Sequence, residues 1–386
     1  MAGMFDQPPP APAPRRRRTN PLLLFLMAFI PVACIAYVLY VVQVRKPIEE
    51  NRKLNSELIY KTVGLQDAAP ITMDPRFADA DGDLVADSPA DTRQQVDPPK
   101  LMFSFVAAND PETYRDRFKE FVAFLSQQVG KPVEYEVFKN PEEGLRAMQE
   151  GRLHIAGINT GNIPIAVNQC GFIPFCGLAT DKGVSTYQMQ IIVPADSGIQ
   201  NLADLRGKYL TLTEPGSNSG FKAPLVLLSK DKGLQPGRDF SIRYSGKHEE
   251  SIKGIANKSY QAAAVASDLL ARAVANEEIK KEQYRPIYES EDFPTAGFGY
   301  VYNLKPELAA KVKDAFFKFE WKGTGIEREF AGSQQAKFAP VSYKKDFALV
   351  RRIDDEIRSV RAAESSEEPA TTESAGATTA TTSPTP

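Results

Sequence analysis

The sequence contains few of the residues that bind metals or form disulfide networks. It has three cysteines and two histidines, His154 and His248, in 386 residues. Three cysteines are too few for a disulfide framework, and the absence of a Cys-x-x-Cys pair argues against zinc or thioredoxin-like chemistry. Two histidines exclude a histidine-rich metal site. The formal net charge is −2 and the sequence has no broad basic face, so nucleic acid is not an expected partner.

The longest stretch without a charged residue runs from Pro21 to Val44. At 1.5 Å per residue, a helix of this length spans about 36 Å, which exceeds the roughly 30 Å hydrocarbon core of a bilayer. Four arginines precede the stretch, whereas only Arg45 and Lys46 follow it directly. By the positive-inside rule, this pattern predicts one transmembrane helix with a cytoplasmic N-terminus and a periplasmic or extracellular body.

The apolar stretch has two other interpretations. A cleaved signal peptide would have a shorter apolar core and a small-residue cleavage site, which the sequence lacks before Arg45. A lipoprotein acylated at Cys34 is the second alternative, because Ala33 precedes the cysteine. However, Pro31 stands where such sites prefer an aliphatic residue, and the apolar run continues past Cys34. An uncleaved anchor in the inner or cytoplasmic membrane therefore fits the sequence best.

Composition divides the rest of the chain into a folded body and polar flanks. Residues 1–20 are rich in proline and arginine, which predicts a disordered cytoplasmic tail. From their composition, we expect residues 45–99 to form a stalk followed by an acidic linker. Residues 362–386 carry too few apolar side chains to fold and predict a disordered tail. The folded body is therefore expected over residues 100–361.

The linker contains four aspartates at positions one, three, five and nine of a short segment: Asp79, Asp81, Asp83 and Asp87. Calcium loops use this spacing to bring several oxygens around one ion. The segment departs from the EF-hand pattern, because Gly82 is in the fourth place and Ala90 replaces the bidentate glutamate. The sequence thus leaves two interpretations open: a calcium site at these aspartates, or a solvated acidic linker.

Within the body, apolar strands alternate with helices. The strand Leu101–Ala107 precedes a helix start at Asn109–Asp110–Pro111, where an Asx cap is followed by proline, and this helix ends at Gly130. Alternation of this kind predicts an α/β fold with two lobes joined by crossover strands. We expect one lobe from residues 100–187 and 296–361 and the other from residues 188–295. The remaining predicted strands include Val133–Phe138, His154–Ile158, Gln188–Val193, Tyr209–Thr213, Phe240–Tyr244, Ala262–Ala266 and Phe298–Tyr302.

Three segments of the body resemble one known family, the phosphate, phosphite and phosphonate solute-binding proteins of ABC importers. The first is IIVPADSGIQNLADLRGKYLTLTEPGSNSGFKAP, with an Asp-Leu-x-Gly-Lys turn and a Ser-x-Ser-Gly loop. The second is SGKHEESIKGIANKSYQAAAVASDLLARA, with a histidine at a helix start and a strand that ends in an acid. The third is the closing APVSYKKDFALVRR. The resemblance implies a two-lobed type II periplasmic-binding-protein fold, with a mixed sheet flanked by helices in each lobe.

The resemblance also implies a ligand site between the lobes, without enzymatic activity or a required cofactor. The positions that match the family's ligand contacts are Thr160, Ser217, Asn218, Ser219, Gly220, His248 and Asp268. Serine hydroxyls and backbone N–H groups at a helix N-terminus suit an oxyanion. An ionised Asp268 cannot donate, so it would accept from a ligand hydroxyl, an amine or a protonated phosphoryl oxygen.

One departure from the family bears on the ligand. Members that recognise aminoalkylphosphonates have an aspartate after the penultimate turn, whereas here Pro294–Thr295 is followed by Ala296. This weakens the case for a ligand with an amine. Cys170 and Cys176 lie outside the cytoplasm on the predicted topology, where either a disulfide or two free buried thiols are compatible with their spacing.

The function predicted from this resemblance is delivery of a phosphorus oxyanion to an ABC permease. A membrane-tethered sensor or scaffold with the same binding fold is the alternative. A hydrolase built on Ser219, His248 and Asp268 is a third, but the sequence has no G-x-S-x-G elbow.

Overall fold

The computed structural model describes residues 21–42, 72–106 and 111–365, and the chain divides into two units, residues 1–55 and 56–386. In the first unit, helix α1 spans Pro21–Tyr40. None of the helices within the described ranges combines the length and hydropathy needed to cross a bilayer. The predicted N-terminal tail, the last two residues of the predicted span, the stalk up to residue 71 and the C-terminal tail from residue 366 lie outside the described residues.

The second unit contains two mixed β-sheets. The first sheet comprises β1 (Leu101–Val106), β2 (Val133–Tyr135), β3 (Ile155–Ile158), β4 (Phe172–Thr180), β5 (Gly183–Val184), β11 (Gly297–Val301) and β12 (Lys337–Pro340). The second comprises β6 (Thr186–Pro194), β7 (Tyr209–Thr213), β8 (Ser241–Gly246), β9 (Ala262–Ala266) and β10 (Tyr284–Pro294). The spatial orders are β12-β4-β11-β3-β1-β2, with β5 beside β4, and β10-β6-β9-β7-β8.

Each sheet has a parallel core and antiparallel neighbours. In the first sheet β1 pairs in parallel with β2 and β3, and in the second β7 pairs in parallel with β8 and β9. The chain leaves the first sheet between Val184 and Thr186 and returns between Pro294 and Gly297. The mixed α/β architecture with two sheets is as predicted. Because the carboxyl ends of parallel strands share one edge of a sheet, the loops after β3, β7, β8 and β9 are the natural ligand positions.

Helices cover the sheets. They are α2 (Pro111–Arg117), α3 (Lys119–Val129), α4 (Pro141–Gln149), α5 (Ile163–Cys170), α6 (Ala223–Val226), α7 (His248–Ala256), α8 (Ser267–Ala275), α9 (Pro306–Lys318), α10 (Gly325–Phe330), α11 (Tyr343–Asp346) and α12 (Ala348–Ser365). The Asn140 side chain accepts from the backbone N–H of Glu143 at 2.9 Å and thereby caps α4. Gly130 ends α3 with a φ of 72°, as predicted.

Several elements differ from their predicted form. The helix predicted after Pro111 is broken at Phe118, and the predicted cap residues Asn109 and Asp110 lie outside the described residues, as does Ala107. The Ser-x-Ser-Gly loop opens into a π-helical turn, Asn218–Lys222, before the short α6. The strands β4 and β12 and the full length of β10 were not predicted, because their sequences alternate weakly between polar and apolar residues.

A phenylalanine cluster forms the core on one face of the first sheet. Phe103 on β1 and Phe298 on β11 are fully buried. Phe121 of α3 packs against both Phe103, at 5.5 Å between ring centroids, and Phe316 of α9, at 4.6 Å. Aromatic packing of this kind holds α3 and α9 against the face of the sheet. The loops at the strand ends are not part of this cluster and can carry the polar residues of a site.

The segment predicted as an acidic linker packs on the body from residue 72 onward. Val85 and Ala86 are buried, and Phe77 contacts Tyr302 at 4.7 Å between ring centroids. Val96 exchanges backbone hydrogen bonds with the turn at residues 303–305. The sequence did not anticipate these contacts, since the apolar residues involved are isolated and show no periodicity.

Of the two alternatives left open for Cys170 and Cys176, the structure has the pair of free thiols and not the disulfide. Both thiols are free and buried. Cys170 ends helix α5, whereas Cys176 lies within strand β4.

Candidate functional site

The predicted ligand residues lie on loops at the carboxyl ends of parallel strands from both sheets. Thr160 follows β3 of the first sheet. Ser217, Asn218, Ser219 and Gly220 follow β7 of the second sheet; His248 follows β8, and Asp268 follows β9. Thr160, His248 and the four loop residues are buried, and Asp268 is half-buried. The structure therefore brings the predicted residues of two lobes to one buried junction.

Ser217 and His248 form the first contact in this junction. The Ser217 hydroxyl oxygen lies 3.2 Å from His248 Nε2. It also accepts the backbone N–H of Gly220 at 3.0 Å, which caps the following turn. On its other side, His248 Nδ1 accepts the backbone N–H of Ala266 at 3.3 Å. Burial lowers the pKa of His248 to about 4, so the ring is neutral near pH 7.

These contacts fix the hydrogen-bonding direction of Ser217. Because Nδ1 of a neutral imidazole accepts from Ala266, its proton must be on Nε2. The Nε2–H then donates to the Ser217 oxygen, which already accepts from Gly220. Both lone pairs of that oxygen are occupied, so the Ser217 hydroxyl hydrogen is left to donate. In this arrangement both ring nitrogens of His248 are engaged, so its contribution is to orient the Ser217 hydroxyl and not to donate to a ligand itself.

Tyr187, at the start of crossover strand β6, connects the other predicted residues. Asn218 Nδ2 donates to the Tyr187 hydroxyl oxygen at 3.2 Å. Burial raises the pKa of Tyr187 to about 12; the Asp268 carboxylate adds to the rise, and hydrogen bonds with Thr160, Asn218 and Ser219 oppose it. Sequence reasoning missed Tyr187. The signal that points to it is its position where the chain crosses between sheets.

Two predicted donors are engaged within the protein. The Thr160 hydroxyl donates to the Pro294 carbonyl oxygen at 3.0 Å, next to the return crossover. The Gly220 N–H donates to the Ser217 hydroxyl oxygen at 3.0 Å, so in this arrangement it too is engaged within the protein. Asn218 Oδ1 is buried and has no hydrogen-bond partner among the described residues, which makes the Asn218 amide an open contact in the site.

The ligand loops of the two lobes touch at Gly161, and Gly220 packs closely on its own strand. A Cβ on Gly161 would lie 2.2 Å from the carbonyl oxygen of Gly216 and 2.6 Å from the backbone nitrogen of Asn218. A Cβ on Gly220 would lie 2.0 Å from Thr213 Oγ1. Glycine is thus required at both positions by close approach, and the junction is closed.

Two carboxyl groups at this junction have raised pKa values. Burial raises the pKa of Asp268, whereas the N–H of Leu269 and the charge of Arg272 lower it. Burial also raises the pKa of Glu214, in the loop after β7, to about 7, and its own backbone N–H and Thr213 oppose the rise. Raised carboxyl pKa values favour the protonated form, which can donate a hydrogen bond.

The acidic segment forms a compact loop away from this junction. Carboxylate oxygens of Asp79, Asp81 and Asp83 lie within 4.8 Å of one another. Asp87 is not part of this group, since its carboxylate accepts the Ala80 N–H at 2.7 Å. Burial raises the pKa of Asp83, and the neighbouring carboxylates add to the rise. Three converging carboxylates have the donor chemistry that calcium prefers.

Three kinds of comparison relate the chain to known proteins. A family-wide profile for the periplasmic substrate-binding protein of ABC phosphonate transporters matches residues 103–347. The phosphate-import protein PhnD of Mycolicibacterium smegmatis is 23% identical over 241 residues, covering 60% of this chain and 75% of that protein. The phosphonates-binding periplasmic protein of Escherichia coli is 24% identical over 269 residues, covering 68% of this chain and 77% of that protein.

Solved structures share the fold. The binding protein of an ABC phosphonate transporter from Pseudomonas aeruginosa superposes with a TM-score of 0.54 at 20% identity, covering 70% of this chain and all of that one. PhnD1 from Prochlorococcus marinus, solved with methylphosphonate, gives a TM-score of 0.55 at 14% identity, covering 67% of this chain and 97% of that one. The family is one of transport proteins and not of enzymes. The resemblance found in the sequence is confirmed: the chain belongs to the family of substrate-binding proteins of ABC phosphonate transporters.

Proposed function

We propose that the body binds a phosphorus oxyanion, namely phosphate, phosphite or a small phosphonate without an amine, and delivers it to an ABC permease. The observation that carries the proposal is the Ser217 hydroxyl, which His248 and Gly220 leave able only to donate. A group that must donate suits an acceptor-rich anion. Two relatives are named for phosphate and for phosphonates, which is the same ligand chemistry.

The neighbouring groups extend this donor site. Ser219 and Asn218 are buried beside Tyr187, so their polar atoms lose hydration that a ligand oxygen replaces. Asp268 serves as the acceptor for a protonated ligand oxygen. Its raised pKa also allows it to donate when it is itself protonated. Ala296 lies directly before β11, at the position where an acid would be needed to hold a ligand ammonium group.

A calorimetric and thermal-shift screen tests the ligand class. Phosphate, phosphite, methylphosphonate, aminoethylphosphonate and sulfate are compared on the purified full chain. At least one amine-free phosphorus anion should produce heat and raise the melting temperature, because only the native state binds. The proposal fails if none of them does. A clear preference for aminoethylphosphonate would show that another acid replaces the missing one at Ala296.

Delivery to a permease is separated from sensing by a transport assay. The alternative function is a tethered sensor or scaffold, which would bind the anion without supporting its uptake. Reconstitution of the full chain with the permease encoded beside its gene should give ATP-dependent uptake of the bound anion. Binding without uptake would favour the alternative.

We further propose that residues 21–44 anchor the body to the inner or cytoplasmic membrane. The support for this proposal is the sequence, which carries no charged residue from residue 21 to residue 44 and of which helix α1 covers Pro21–Tyr40; a helix over the whole stretch would be about 36 Å long, against the roughly 30 Å of a bilayer core. Phe29, Ile30 and Val38 are all more than half exposed, so this surface needs an apolar surrounding. The flanking arginines favour a cytoplasmic N-terminus and an extracytoplasmic body.

The anchor is tested by fractionation and protease access. The full chain should sediment with membranes and resist extraction by high salt. Protease added from the outside, after the outer membrane is permeabilised if one is present, should cut the stalk. Protection of the body in that assay would reverse the proposed orientation.

For the acidic loop we propose weak calcium binding by Asp79, Asp81 and Asp83. Its support is the convergence of their carboxylate oxygens. Burial raises the pKa of Asp83, and the neighbouring carboxylates add to the rise through a repulsion that a divalent cation would relieve. Lys344 Nζ donates to the carbonyl oxygen of Gly82 at 2.7 Å, so this oxygen of the loop is already engaged within the protein. We therefore expect a dissociation constant in the millimolar range of extracellular sites.

A further inference from the structure

Lys222 is a buried lysine beside the anion site. Only 6% of the residue is exposed, and its Nζ donates to the carbonyl oxygen of Gly161 at 2.7 Å and to Asp354 Oδ1 at 2.5 Å. The Asp354 side chain is 4% exposed. A buried ammonium group is strongly unfavourable unless it is paired, so these two contacts fix its position.

The contacts of Lys222 join three parts of the molecule. Lys222 ends the π-helical turn Asn218–Lys222, which belongs to the lobe of the second sheet. Gly161 lies in the turn Thr160–Asn162 after β3, in the lobe of the first sheet. Asp354 lies on α12, which packs against α6 in one lobe and α5 in the other. One side chain therefore ties both ligand loops to the helix that crosses their junction.

Separation of the lobes must break this arrangement. Gly161 touches the Gly216–Asn218 backbone so closely that no side chain fits between them. Any motion that parts these loops takes Lys222 Nζ away from the Gly161 oxygen and admits water to a buried charge pair. The pair therefore favours the closed arrangement through contacts that involve no ligand atom.

We propose that Lys222 and Asp354 form a lock that sets the balance between open and closed lobes before any anion binds. Lys222 is a positioning residue in this role, since it holds the two loops that carry Thr160 and Ser217. The apparent affinity for the anion scales with the fraction of protein in the binding-competent arrangement. The effect on affinity rests on the proposed function, whereas the effect on closure does not.

The experiment measures lobe separation with and without ligand. Spin labels are placed on the full chain in detergent micelles at Gln128→Cys and Glu282→Cys, in a Cys34→Ser background. Both labelled residues are exposed, one near the end of α3 and the other just before β10. Without ligand, the distance between the two spin labels should have a larger mean and a broader distribution in Lys222→Met than in the parent protein. Its affinity for methylphosphonate should fall about tenfold or more.

A matched control is available on the surface of the same lobe. Lys258 pairs with Asp196 at 2.5 Å, but both side chains are more than 60% exposed, so Lys258→Met should change neither closure nor affinity. Lys222→Arg keeps the charge and should recover part of the closure. If Lys222→Met does not fold, the double variant Lys222→Met/Asp354→Leu removes both buried charges and should fold with open lobes.

The possible outcomes distinguish failure of the Lys222–Asp354 lock from failure of the proposed ligand. An unchanged ligand-free distance in Lys222→Met, or a closed double variant where the single one does not fold, would overturn the lock. If no phosphorus anion binds the parent protein but the ligand-free distance still increases in Lys222→Met, the proposed ligand is wrong and the lock holds.

Discussion

Two polar loops of this protein use the same local chemistry in different surroundings. In the site loop, Ser217 accepts the Gly220 N–H, and in the acidic loop, Asp79 accepts the N–H of Asp83 at 3.0 Å. The site loop is buried and contacts His248 and Tyr187 from distant parts of the chain. The acidic loop is largely exposed, and its carboxylates bond the loop's own backbone. Both loops share the capping motif, so the difference in their expected ligand affinity comes from burial, which only the site loop has.

The energetic reason is the cost of leaving a buried polar group unpaired. A hydrogen bond lost in the site loop leaves a buried donor or acceptor without water, at about 1–3 kcal/mol. A similar loss in the acidic loop is repaired by solvent and costs much less. The predictions below test this difference from the largest expected effect to the smallest.

Removing the Ser217 hydroxyl should have the largest effect. Ser217→Ala takes away a ligand donor, the cap of the π-helical turn and the partner of His248 Nε2. We expect anion affinity to fall on the order of a hundredfold, with a lower melting temperature. Calorimetry and thermal unfolding measure both. Ser197→Ala, which removes a comparable cap to the Ile199 N–H in a less buried loop, is the control and should leave affinity unchanged.

The two histidines offer a matched comparison between a site residue and a structural one. Each is 8% exposed and accepts a backbone N–H at Nδ1, His248 from Ala266 and His154 from Met102 at 3.1 Å. Only His248 contacts Ser217. His248→Ala should weaken anion binding by roughly tenfold to a hundredfold. His154→Ala should lower stability and leave binding intact; equal losses of affinity in calorimetry would contradict the role of His248.

The pH dependence of stability should also depend on His248. Its pKa is about 4 in the folded protein against 6.5 ordinarily, so the unfolded chain takes up a proton first as the pH falls. The free energy of unfolding should therefore decrease between pH 6.5 and about 4, by up to roughly 3 kcal/mol from this group. Urea unfolding across this range should show a shallower pH dependence in His248→Gln. An unchanged slope would mean that His248 is not buried and neutral.

Calcium should have the smallest effect. Asp81→Asn/Asp83→Asn should abolish any calorimetric heat at millimolar calcium, because the ligand charge is lost. Asp91→Asn, in the same segment but outside the cluster, is the control. Anion affinity should not change in either variant. Absence of calcium-dependent heat in the parent protein would leave the loop as an acidic surface element.

The sequence predicted the site loops better than their internal bonding. The strands Tyr209–Thr213 and Ala262–Ala266 have the predicted bounds, because each is a short apolar run whose pattern is local. The hydrogen bonds that Gly220 and His248 make with Ser217 were not predicted. Both depend on which groups a third residue, Ser217, already bonds, and no local pattern carries that information.

Contacts between residues far apart in the chain could not be predicted either, because no local sequence pattern encodes them. Tyr187 and Lys222 are ordinary residues in the sequence, and each gains its role from partners 31 and 132 positions away, Asn218 and Asp354. Residues 72–99 looked like a linker because Phe77 and Val85 are isolated apolar residues. They pack only because the body presents a complementary surface.

The sequence by itself determined the α/β order, the charge-free N-terminal segment and the family, since these follow from hydrophobic period, caps and motif spacing. Tertiary structure alone decided that the cysteines stay apart, that Ser217 is left to donate, and that a buried lysine joins the two lobes. The physical reason is that burial and hydrogen-bond saturation belong to neighbours in space. A polar side chain has no fixed role until every group around it has been paired.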